Sequence, residues 1–465
     1  MRALVIGVVV LAGCQAQIKV PDAPAAAVVE TAPAKSEKTA KKDDPAFPER
    51  ETGWTTVTDD ERAAIAELAD GYAGFLGRAK TPRRAITGLV ELVGAQPLPA
   101  TAARPAPGTR FSLRGPGGRT AAFVVAGERP IEEGARIIVA SVDAPRIELK
   151  QRPVYERAGF AMLDTVLYGD LDFASWLVTP LALYVYAARP GAADGAFDLA
   201  IGERDEDPVL MIPDLLPHLS YRVQRRAVID EPERLDAIAA RSERALIEYL
   251  RGRGFSAEDF AVTETALVPA GPPVFLGVDR AVIGGYGHAE RAMAYAAVRA
   301  LTTLRAPRQP AIVILLSKSE TGYTGSSGQA FVRQALGRII GALSAAGVDA
   351  DSLAVRRIYA RSSVVIASSG SGAPAKGVVL DPVTDDALPL ATRRVIDALA
   401  TTNAQYQYAE ERGDYLARGL ATLDLDVVNL GVPVRGIGTP LERLSVFDLY
   451  QAERACRGWL GGGGQ

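Results

Sequence analysis

Ala311 to Leu316 reads Ala-Ile-Val-Ile-Leu-Leu, six apolar residues in a row, and this run constrains the fold more than any other stretch of the chain. A strand with no polar face must be covered on both sides, the condition met in a parallel sheet between two helical layers. The spacing of apolar residues around it predicts the covers: helices near 289–304, 329–346, 388–401 and 445–460, with further strands over 137–142, 378–380 and 426–434. Such alternation after residue 275 predicts an α/β sandwich around a mostly parallel sheet. Upstream, Thr58-Asp59-Asp60 opens a helix whose apolar face carries Ile65, Leu68, Tyr72, Phe75 and Leu76, and a second helix is expected over 84–93. The stretch from about 150 to 225 is rich in aromatic and β-branched residues and reads as mostly β, and an amphipathic helix over 232–251 follows it.

The amino terminus reads as an export signal. Arg2 is followed by a short apolar run, Ala3 to Leu11, and then by Leu11-Ala12-Gly13-Cys14, which matches a bacterial lipoprotein box. The run is too short to span a bilayer. Residues 1–13 are therefore expected to be removed, Cys14 to be lipidated, and 14–52, rich in Ala, Pro and Lys, to form a tether. The expected location is the bacterial cell envelope, at the outer membrane or the periplasmic face; a chance apolar start to a cytoplasmic chain is the alternative. A net charge of −3 gives no reason to expect nucleic acid as a partner. Two cysteines exclude a disulfide framework, and Cys456, in a helical pattern, is expected to be a buried thiol. Two histidines, His218 and His288, limit any imidazole-based metal site.

Seven collinear segments carry a family likeness: KTPRRAITGLVELV (80–93), EEGARIIVASVDAPRIELK (132–150), DEDPVLMIPDLLPHL (205–219), FLGVDRAVIGGYGHAERAMAYAAVRAL (275–301), VILLSKSETGYTG (313–325), KGVVLD (376–381) and LGVPVRGIGTP (430–440). With these the chain resembles the bacterial branch of the aspartyl aminopeptidase (aminopeptidase I) family over roughly 60–460. The resemblance implies a zinc-peptidase-like α/β/α sandwich over 53–148 and 262–465, interrupted by a β-rich dimerisation insertion over 149–261. It also implies a pair of bridged zinc ions, removal of N-terminal residues from peptides, and assembly into a homodimer or larger homo-oligomer.

The implied site departs from the family pattern at most positions. The first motif, His-x-Asp-Ser-Pro, reads Ser141-Val142-Asp143-Ala144-Pro145, which keeps the aspartate beside the metal and replaces the histidine ligand by Ser141. The bridging aspartate is matched by Glu290, with His288 two residues upstream. In Ser317-Lys318-Ser319-Glu320, Glu320 matches a ligand and Ser319 stands at the general-base position, where loss of the base would cost roughly 10²–10⁴-fold in rate. The aspartate of a Ser-Ala-Asp-Val motif is matched to Ser363, and the last histidine ligand to Gly438. Glu410-Glu411-Arg412-Gly413-Asp414 takes the place of the family's glycine-rich substrate loop. His218 matches an insertion histidine that reaches the neighbouring subunit's site, or serves structurally in a proline-bounded turn.

These residues predict a catalytically inactive lipoprotein with a binding or assembly role, no cofactor, and a peptide or protein ligand in the old cleft. The alternative is a metalloaminopeptidase whose rebuilt site uses Asp143, His288, Glu290 and Glu320 to hold zinc or another divalent metal. The same carboxylates paired with arginines would be a purely structural outcome. A serine nucleophile has only His288 for a base and no Gly-x-Ser-x-Gly elbow.

Overall fold

The protein is described by a computed structural model over residues 52–100, 104–188, 196–213, 235–317, 325–344, 353–381, 389–410 and 426–462. The expected signal, Cys14 and residues 15–51 of the tether lie outside these residues, as do His218, Ser319, Glu320 and 411–414.

Two helices open the described chain. Helix α1 (Asp59–Arg78) begins with a capping box: the Thr58 hydroxyl accepts from the Glu61 N–H and the Glu61 carboxylate accepts from the Thr58 N–H, both at 3.2 Å. Helix α2 (Pro82–Val93) starts two residues before the expected position, because Thr81 caps it and Pro82, with no N–H to lose, suits its first turn. The chain then lays down β1 (Gln96–Pro97), β2 (Arg110–Arg114), β3 (Ala121–Val125) and β4 (Arg136–Ser141).

From here it leaves for a second, antiparallel sheet: β5 (Arg146–Arg157), β6 (Phe160–Tyr168), helix α3 (Phe173–Trp176), β7 (Leu181–Ala188), β8 (Ala196–Ile201), β9 (Ala237–Ala240), helix α4 (Glu243–Gly252) and β10 (Thr263–Pro269), in the order β8-β7-β10-β5-β6-β9. This sheet runs from Arg146 to Pro269, so it reaches past both ends of the expected 149–261 insertion. The helix expected over 232–251 is also shorter. Ile238 faces a β6 partner instead of a helical neighbour, and the helix begins only after Ser242, whose hydroxyl accepts from the Ala245 N–H.

A small third sheet takes β11 (Val274–Leu276) and β12 (Val282–Gly285); helix α5 (His288–Thr303) and β13 (Ala311–Leu316) follow. Then come α6 (Gly325–Leu343), α7 (Leu353–Arg361), β14 (Ser363–Ser369), β15 (Val378–Asp381), α8 (Pro389–Thr401), β16 (Tyr406–Tyr408), β17 (Asp426–Val432), β18 (Val434–Arg435), β19 (Glu442–Ser445) and α9 (Val446–Leu460). The central sheet has the order β1-β2-β3-β13-β4-β14-β17-β15-β16, and β13, β4, β14 and β17 are mutually parallel.

Alternation along those strands divides two cores. Ile138 and Ala140, Val313 and Leu315, and Val365 and Ala367 face α1, α2, α5, α8 and α9. Ile137 and Val139, Ile312 and Ile314, and Val364 and Ile366 face α6 and α7. Apolar residues at every position of β13 are thus spent on two helical layers, as the run Ala311–Leu316 requires. Helix α5 is buried nearly all round and is rich in alanine, which lets α9 and the sheet approach its backbone closely. Cys456 is fully buried in α9 as a free thiol.

Candidate functional site

Parallel strands bring their C-terminal ends to one edge, and the resemblance puts its chemistry there. Ser141 ends β4 opposite Leu316, the last residue of β13. On the other side Ala140 pairs with Ala367, so Ser368 is the next residue to emerge beside Ser141. Ser363 is elsewhere. It pairs with Arg136 at the opposite edge of the sheet, five residues and about 16 Å back along β14. Its hydroxyl accepts from Arg394 Nη1 at 3.2 Å. Ser363 thus stands at the entry of β14, and Ser368 and Ser369 stand at its exit. Serine pairs flank Val364–Ala367 on both sides, so only strand direction could have told the two apart.

Asp143 follows Ser141 in a buried turn, its N–H donating to the Ser141 hydroxyl at 3.1 Å. Its carboxylate accepts from Arg146 Nη1 at 2.9 Å and from the Tyr168 hydroxyl at 2.6 Å. The Arg146 guanidinium lies over the Tyr168 ring, 3.8 Å from its centre, and also pairs with Glu148 at 2.6 Å. Both carboxylate oxygens of Asp143 are thus engaged by side chains of β5 and β6.

Helix α5 starts against the same turn. A Cβ at Gly287, which has a φ of 86°, would lie 2.2 Å from Arg291 Nη1 and 3.5 Å from the Cβ of Ala144, so glycine is required there. The fully buried Arg291 donates through Nε to the Val142 carbonyl at 3.1 Å. Glu290 lies half-buried in the first helical turn. His288 turns toward α1, where its Nδ1 is 2.9 Å from the Tyr72 hydroxyl. Burial pushes this imidazole down to about 3, which keeps it neutral. Its partner is therefore a tyrosine of the helical layer. Among the described residues no three His, Cys, Asp or Glu side chains gather in a way that could hold a metal ion.

Gly438 closes the edge from the third sheet. Its carbonyl accepts from the Trp176 indole N–H at 2.8 Å and from the Asp172 N–H at 3.1 Å. Its φ is 79°, and a Cβ there would lie 2.4 Å from the Asp170 carbonyl oxygen. The sequence reading missed Glu442, four residues on. This buried carboxylate accepts from the Ala289 N–H at 2.9 Å and the Gly438 N–H at 3.2 Å, so it caps α5, whose own cap residue Gly287 has no side chain. Burial pushes Glu442 up to about 7, against the pull of those N–H groups. No local pattern marks it, since Glu442 stands next to the exposed Arg443 in a four-residue strand.

The chain matches the family model described as aminopeptidase I zinc metalloprotease (M18) over residues 106–369. A curated relative from Thermotoga neapolitana, "Probable M18 family aminopeptidase 1", is 28% identical over 444 residues, which cover 86% of this chain and 96% of the relative. The crystal structure of an M18 aminopeptidase from Thermotoga maritima superposes with a TM-score of 0.79 at 26% identity, covering 89% of this chain and 99% of that one. The mApe1 dodecamer of Saccharomyces shares the fold at 16% identity, with a TM-score of 0.69 over 84% of this chain and 95% of its own. By its sequence match and its fold, the chain belongs to the aminopeptidase I zinc metalloprotease (M18) family.

Proposed function

We infer that this chain is an M18 scaffold that has given up the family's zinc hydrolysis and works as a binding or assembly protein. The observation that carries this reading is Gly438. The position matched to the last histidine ligand has a left-handed backbone, and its Cβ space is taken by the Asp170 carbonyl, 2.4 Å away. Ser141, matched to the first histidine, supplies a neutral hydroxyl that already accepts the Asp143 N–H. Ser368 and Ser369 bring no carboxylate to the exit of β14. This donor set does not suit a pair of zinc ions, which want imidazole, carboxylate or thiolate. The conclusion is that no zinc pair is held and no cofactor is needed.

In the same reading the protein is exported, lipidated at Cys14 and tethered to the bacterial envelope, with the cleft beside Asp143 and Glu290 left to bind a peptide or protein. Self-association through the β-rich insertion belongs to it as well, in keeping with the dodecameric yeast relative. The test is metal content measured beside peptidase activity. After incubation with Zn²⁺, Mn²⁺ or Co²⁺ and desalting, substoichiometric metal and no release of N-terminal residues are expected. Stoichiometric metal with a release that Glu320→Ala abolishes would establish the rebuilt metalloaminopeptidase instead. Lipidation is checked separately by radiolabelled palmitate, whose incorporation Cys14→Ser should remove.

A further inference from the structure

A cleft of about 340 Å³ opens between the first turn of α2 and the insertion sheet; neither Ser141 nor Gly438 lines it, although Arg146 and Tyr168, the partners of Asp143, do. Four arginines and three carboxylates line it, and Arg84 is paired with Asp198 at 2.8 Å. Arg83 and Arg84 leave α2 side by side, and each guanidinium lies over a tyrosine of β7: Arg83 is 3.4 Å from the centre of the Tyr186 ring and Arg84 is 4.8 Å from that of Tyr184. Arg119 comes from the turn Pro116–Gly118, where Gly118 has a φ of 66° and a Cβ would lie 3.2 Å from Arg83 Nη1. That turn can bring Arg119 beside Arg83 only because it is glycine.

The two guanidinium groups converge on one carboxylate. Glu264 Oε2 is 3.0 Å from Arg83 Nη2, and Glu264 Oε1 is 3.2 Å from Arg119 Nη1. The partners are unequally placed. The Arg83 side chain is 15% exposed and its Nε, buried, has no hydrogen-bond partner, whereas the Glu264 side chain is 48% exposed. Stacking on Tyr186 has already fixed Arg83, so an arriving oxyanion would meet a preorganised donor pair. The carboxylate now in their grip is half in solvent, where such pairs contribute little to stability. It is therefore exchangeable, and its position between the two arginines shows that they accept an oxyanion in this geometry.

We propose that this cleft is an oxyanion-binding site in which Arg83 and Arg119 grip the ligand, Arg84 flanks it, and Glu264 is an internal occupant that the ligand displaces. The ligand class is a phosphate or carboxylate group carried by a small molecule. The site depends on none of the metal positions, so it stands or falls apart from the reading given under Proposed function.

Calorimetric titration and thermal unfolding of the full-length protein with inorganic phosphate, and separately with malonate, test it against sodium chloride at equal ionic strength. The expected result is binding of at least one oxyanion, strengthened about tenfold or more in Glu264→Gln and weakened at least tenfold in Arg119→Gln. Arg83→Lys, which keeps the charge and loses the planar donor pair, should also weaken it and guards against a misfolded Arg119→Gln. Phosphate alone, malonate alone or both would each support the site and name its ligand. Equal stabilisation by chloride in both the unaltered protein and Glu264→Gln would overturn it, as would binding that Arg83→Lys and Arg119→Gln leave unchanged.

Discussion

Gly438 and Asp170 meet backbone to backbone: the carbonyl oxygen of Asp170 occupies the space 2.4 Å from where a Cβ of residue 438 would be. The contact is reinforced by the Asp172 N–H and the Trp176 indole, both of which donate to the Gly438 carbonyl. Any side chain at 438 must therefore bear a left-handed φ and displace the 170–172 backbone. Gly438→Ala and Gly438→His should each destabilise the fold by about 2–4 kcal/mol, read as a lowered Tm. Gly438→His should gain no affinity for Zn²⁺, which titration calorimetry would check.

Asp143 is buried between Arg146 and Tyr168, and its loss leaves a mostly buried guanidinium to Glu148 and the Ala144 carbonyl. Asp143→Ala is expected to cost about 2–4 kcal/mol, and Tyr168→Phe about 1 kcal/mol. Because the two share one interaction, the double variant should cost less than the sum, by about 0.5 kcal/mol or more. Chemical denaturation of the four proteins measures that coupling. Additive losses would mean that the tyrosine hydroxyl and the carboxylate act independently.

Much of this architecture was legible in the sequence, and what was not has identifiable physical causes. The fully apolar run Ala311–Leu316 specifies a buried strand and appears as one, and the helix expected near 289–304 appears as His288–Thr303. Ala237–Ala240 failed because Leu235 and Ile238 fit a helical face as well as a strand, and only pairing with β6 decides between them. Ser363 shows a different limit of the sequence. Local pattern locates a strand but carries no information about which end meets the site; that depends on its direction relative to β4. Glu442 was invisible because its role, capping a helix that starts more than 150 residues earlier, exists only in three dimensions.

Asp448, on α9, accepts from the Ala375 N–H at 2.7 Å and the Gly377 N–H at 2.8 Å, yet burial pushes its carboxyl up to about 7. An unfolded aspartate titrates near 3.9. Between about pH 4 and 7 the native state therefore holds the extra proton, and stability falls as pH rises through this window. Asp448→Asn removes the titration. The Tm of the variant minus that of the unaltered protein should rise from pH 4 to 7 and level off above. His288, pushed down to about 3, runs the opposite way, since the unfolded imidazole takes up a proton below about 6.5 that the native one refuses. His288→Phe should accordingly show its relative gain on the acid side.

The register of β14 against β4 admits a direct chemical test. Ser141 and Ser368 each lie one residue past the Ala140–Ala367 pair on adjacent strands, which puts their Cα atoms near the roughly 4.4–6.8 Å span of a disulfide. Ser363 lies about 16 Å from that level, beyond any cross-link. Under mild oxidation Ser141→Cys with Ser368→Cys should form an intramolecular disulfide, seen as a loss of two mass units that a reductant restores. Ser141→Cys with Ser363→Cys should stay reduced. Cys456 is fully buried and its thiol is pushed up by burial, so it stays inert in both. Cross-linking in the second pair alone would place Ser363, not Ser368, at the edge that carries Ser141.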